Sequence, residues 1–89
     1  MPLKDSYPVT VSDTDMSMGI RKHCTRCMMA LAASRATGGQ AQVYPDTGSI
    51  WIRKGRHIKK YLLPDDIRAK VKAWDEGESV KPFTFEMVA

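Results

Sequence analysis

Long apolar runs are missing from this chain. The longest, Cys27 to Ala33, is seven residues, whereas a helix that crosses a bilayer needs about 20. Met1 to Ser12 holds no apolar signal-peptide core. Both absences point to a cytoplasmic protein without membrane contact. Cysteine is scarce, with Cys24 and Cys27 the only two. Thiols three positions apart do not make a disulfide framework. Gly38-Gly39 lacks the surrounding glycines or lysine of a phosphate-binding loop. Repeats, low-complexity tracts and interdomain linkers are also lacking, so the 89 residues predict one domain over 1–89.

Acid is nearly absent from the middle of the chain. Between Ile20 and Lys60 nine lysines and arginines face a single acid, Asp46. The flanking segments are each net acidic, so the overall charge of +4 conceals a basic centre. A partner with an acidic surface is the expectation that follows.

What is present reads as alternating strands and one-sided helices. Tyr7, Val9 and Val11 alternate as a first strand, with Pro8 suiting an edge. Ser12 or Asp13 caps a short helical turn that Gly19 stops. Cys24, Cys27, Met28, Leu31 and Ala32 form one stripe, which predicts a helix from Cys24 or Thr25 to about Thr37, ended by Gly38-Gly39. Gln40 to Tyr44, Ser49 to Arg53 and Arg56 to Leu62 read as a three-stranded meander, turned at Pro45-Asp46-Thr47-Gly48 and Lys54-Gly55. Pro64-Asp65-Asp66 opens a last helix with Ile67, Val71 and Trp74 on its buried face. Lys81 to Val88 is a final strand, with Phe83, Phe85 and Met87 on one face. The predicted class is α+β: a small, mainly antiparallel sheet of about four to five strands packed by two helices, in the order β-α-β-β-β-α-β. The two terminal strands are expected to lie near each other.

His23-Cys24-Thr25-Arg26-Cys27 supports three readings. Cys24 and Cys27 have the mutual spacing of zinc ligands, but His23 points about 100° away from Cys24 on a helix, and His57 is remote in sequence. Arg21, Lys22 and Arg26 would favour a reactive thiolate, yet no core strand precedes the motif as in redox folds. The third reading makes both thiols small hydrophobes of the core. It is favoured here, so no cofactor is expected, with zinc as the alternative.

Arg53, Lys54, Arg56, Lys59 and Lys60 crowd into eight residues around His57, flanked by Trp51 and Tyr61. Cations for phosphates and rings for unstacked bases suit nucleic acid. The same face suits docking to an acidic protein, and edge lysines also guard against aggregation. Asp65-Asp66 and Asp75-Glu76 are explained by helix ends, and no coherent acid–base or nucleophile set remains. No enzymatic activity is expected.

The chain resembles a group of small proteins of tailed bacteriophages that infect actinobacteria. The resemblance rests on His23-Cys24-Thr25-Arg26-Cys27 with Ala30-Leu31-Ala32, on Leu63-Pro64, and on Trp74-Asp75-Glu76-Gly77 followed by Val80-Lys81-Pro82-Phe83-Thr84-Phe85-Glu86. It covers about half of the chain, in two blocks; the group often has proline where this chain has Met28. The resemblance implies a phage accessory protein, in the host cytoplasm, that binds and modulates a host or defence protein.

Overall fold

A computed structural model describes residues 3–89. The elements are β1 (Ser6–Val11), α1 (Asp13–Met18), α2 (Met28–Thr37), β2 (Gln40–Tyr44), β3 (Ser49–Lys54), β4 (His57–Leu62), α3 (Asp65–Asp75) and β5 (Phe83–Val88). The class is α+β, and all the strand pairs are antiparallel. The terminal strands do pair: Val9 lies opposite Phe85 and Tyr7 opposite Met87.

The strands form two sheets rather than one, β1-β5 and β2-β3-β4. Side chains, not backbone bonds, fill the seam. The Tyr7 ring meets Tyr61 edge-on at 6.0 Å, and the Tyr61 hydroxyl donates to the Lys4 carbonyl. One cluster of buried side chains spans both sheets and α2 and α3, with Val9, Val11, Met28, Met29, Ile50, Ile52 and Tyr61 fully buried.

The second helix starts later than its apolar stripe predicts. It begins at Met28, with Cys27 as its cap: the Cys27 sulfur accepts the Ala30 N–H at 3.4 Å. Cys24 is therefore outside the helix and exposed, and only Cys27 joins the core. Residues 20–27 instead form turns held from outside. Arg21 Nε donates to the Trp74 carbonyl at 2.6 Å, and the Lys22 N–H donates to Asp75 Oδ1 at 2.9 Å. Arg21 also lies over the Trp74 ring, 4.8 Å from its centre. These bonds place a cation at the negative end of α3.

Gly19 sits where this loop passes closest to the core. A Cβ there would lie 2.7 Å from the Met28 nitrogen and 2.8 Å from the Asp15 carbonyl. The reason for glycine is this close approach, since its φ of −71° is open to any residue.

Candidate binding face

Strand alternation decides which residues of the basic hairpin can meet a partner. Trp51 pairs with Gln42 and Lys60, and Arg53 pairs with Gln40 and Ile58. Residues paired across strands share a face, so Gln40, Gln42, Trp51, Arg53, Ile58 and Lys60 occupy the outer face. Tyr44 and Leu62 extend it. Opposite them, Ala41, Val43, Ile50, Ile52 and Tyr61 fill the core.

Four large apolar side chains on that outer face are uncovered. Trp51 is 39% exposed, Tyr44 38%, Leu62 57% and Ile58 65%. Sheets packed on one side normally show water a polar face, so these four mark a patch. Neither β2, β3 nor β4 carries an aspartate or glutamate. Arg53 and Lys60 stand within the patch, and Arg26 comes up from the preceding loop. A groove of about 520 Å³ runs between Arg26, Gln42, Trp51, Arg53 and Ile58.

The sequence-predicted site residues divide. Trp51, Arg53 and Lys60 are brought together on the outer face. Arg56 lies in the exposed tight turn with Gly55, whose φ of +62° suits glycine. Lys54 and Lys59 fall on the inner side by alternation and are half-buried. Lys59 reaches Asp5 at 2.7 Å, and that hydrogen bond holds the Asp5 carboxyl below its usual range. Tyr61 leaves the site altogether: it is fully buried, and burial pushes its hydroxyl pKa up. A buried ring cannot stack on a base. Among the described residues no ion-pair partner meets Arg53, Lys54, Arg56 or Lys60.

Sequence reasoning missed Ile58, Leu62 and Tyr44. The signal was there, since each keeps the period-two register of Trp51, but the cation density of the hairpin hid it. Arg35 is one of the nine cations of the basic centre, yet it adds no unpaired charge to a binding face. Arg35 instead clasps the buried Asp15 with two bonds, at 2.6 and 2.7 Å, and donates to the Thr10 carbonyl.

The candidate metal ligands do not form a coordination group among the described residues. His23 bonds its own loop through Thr25 Oγ1 at 3.1 Å, and His57 starts β4. His23, Cys24 and Cys27 do border one cleft, together with Asp46, Lys72 and Asp75. Among the described residues no three His, Cys, Asp or Glu side chains stand close enough to hold a metal ion. Burial pushes the Cys27 thiol pKa up, with a weaker opposing pull from the Ala30 N–H. That shift works against thiolate chemistry. No described helix is long and apolar enough to cross a membrane. No protein-family model matches the chain, and neither a curated protein nor a solved structure does.

Proposed function

We propose that the protein is a small non-enzymatic binding module whose partner is a protein with an acidic surface, docked on the outer face of β2-β3-β4. The observation that carries this reading is the union of four uncovered apolar side chains with unpaired cations on an acid-free sheet face. Trp51, on the central strand, supplies the large aromatic anchor typical of binding hot spots, Ile58 and Leu62 add apolar area towards the β4 edge, and Arg53 and Lys60 select an acidic partner. The resemblance to phage proteins supports a host or defence protein in the host cytoplasm as that partner.

Paired baits in a host lysate test the reading. Wild-type protein should retain an acidic protein at about 0.15 M salt, and Trp51→Ala should lose that same protein. Equal recovery by both baits would contradict it.

Nonspecific binding of single-stranded nucleic acid is the second reading. It is favoured by the exposed Trp51 ring beside Arg53 and Lys60. It is the weaker of the two, because Tyr61 is buried and Ile58 and Leu62 are aliphatic. It predicts quenching of Trp51 fluorescence by an oligonucleotide, falling steeply with salt.

A further inference from the structure

The two edges of the meander differ. In an antiparallel ladder, residues alternate between exchanging backbone bonds with the partner strand and pointing them away. The tight turn at Gly55-Arg56 closes on the pair Lys54 and His57. Counting from that pair, Lys59 and Tyr61 of β4 bond to β3. The N–H and C=O groups of Ile58, Lys60 and Leu62 then point away from β3. Applied across β3 to β2, the same count turns the N–H groups of Ala41 and Val43 outward. Both are satisfied there: Ala41 donates to Ser34 Oγ at 3.0 Å, and Val43 donates to the Cys24 carbonyl at 2.8 Å. The β2 edge is thus closed by α2 and the 20–27 loop.

Among the described residues no hydrogen bond closes the β4 edge in this way. None of the outward N–H groups of Ile58, Lys60 and Leu62 finds an acceptor among the described residues. β5 approaches β4 without entering its ladder, and the side-chain seam lies at Tyr61. The edge passes through residues that are among the most exposed apolar ones of the chain, Ile58 and Leu62.

We propose that β4 accepts an extended acidic segment of a partner protein as a fourth strand of the meander, pairing along Ile58, Lys60 and Leu62. This rests on the reading of the outer face given above and specifies how the partner meets it. Backbone pairing would supply affinity, and the adjoining outer-face side chains would supply selectivity. Charge chooses the occupant. β4 carries His57, Lys59 and Lys60 and no acid, so a second copy would bring lysines against lysines. Edge lysines are a device against self-pairing, and like charges opposite each other destabilise a ladder. An acidic strand meets neither obstacle.

Proline isolates the backbone contribution. At position 60 it removes an N–H that β3 does not use, which an edge strand tolerates. The probe is a synthetic peptide of about eight residues alternating valine and glutamate, with a valine–lysine peptide as control. Amide exchange and the indole signals of Trp51 and Trp74 are followed by NMR. The acidic peptide should slow exchange at Ile58, Lys60 and Leu62, and the basic one should bind at least about tenfold more weakly. Lys60→Pro should weaken binding about tenfold beyond Lys60→Ala. Equal binding by those two variants would overturn the proposal. So would a shifted Trp51 indole without edge protection, which would leave the outer-face reading standing. No response at either place would count against both. Edge protection that grows with protein concentration in the absence of peptide would instead identify a second copy as the occupant and overturn the proposal.

Discussion

Asp15 shows how much one buried charge organises. Burial by itself would raise its pKa, but the Arg35 guanidinium and the Ser12 backbone N–H and hydroxyl outweigh that and hold it below the ordinary range. A lowered folded pKa means that the stabilisation is complete above the unfolded value, about pH 4, and is lost as pH falls through the folded one. Replacing Arg35 by methionine leaves the carboxylate buried with only Ser12 to answer it. We expect a loss of about 1–3 kcal/mol at neutral pH and an Asp15 titration moved upward, read from urea melts across pH and carboxyl NMR shifts. The same residue scale separates the cysteines. Cys24 is exposed, whereas Cys27 is buried with its thiol pKa raised. Iodoacetamide should modify Cys24 in the folded protein and reach Cys27 only on unfolding. Equal rates at both would contradict this placement. The pairing of Arg35 with Asp15, 20 positions apart, was illegible in the sequence. No local rule links an arginine in the last turn of α2 to a capping-box aspartate.

At the scale of elements, period-two alternation carried most of what the sequence revealed. It placed Tyr7, Val9 and Val11 inward, and Phe83, Phe85 and Met87 on the facing side of β5. Helical periodicity placed Ile67, Val71 and Trp74 on the buried side of α3. The start of α2 was not legible, because Cys24 continues the apolar stripe of Cys27 and Met28. The chain is stopped there by the bonds from Arg21 and Lys22 to the end of α3, which are tertiary. Trp74 joins these elements: it is 2% exposed and lies beneath Arg21. Trp74→Ala should therefore cost about 3–5 kcal/mol, seen as a lower melting temperature. A melt within experimental error of wild type would show that α3 is not anchored through this ring.

For the whole molecule, charge and shape have to be read together. The basic centre of the sequence is not a uniform surface. Arg21 faces the C-terminal end of α3, Arg35 is bound to Asp15 and Lys59 to Asp5. Among the described residues Arg53 and Lys60 stay without an ion-pair partner on the outer face of the meander, among exposed apolar side chains, with Arg26 and Arg56 beside it. The sequence pointed to this hairpin but not to its apolar content, since burial of Tyr61 and exposure of Ile58 and Leu62 depend on which side the helices cover. The central claim is that this face binds a protein partner. Its most direct test titrates the purified acidic protein captured by wild type into wild type and into the double variant Ile58→Ser/Leu62→Ser, by calorimetry, with thermal melts in parallel. The account predicts an unchanged melting temperature, because both side chains are exposed, and affinity weakened at least about tenfold. Wild-type affinity in the double variant would contradict it.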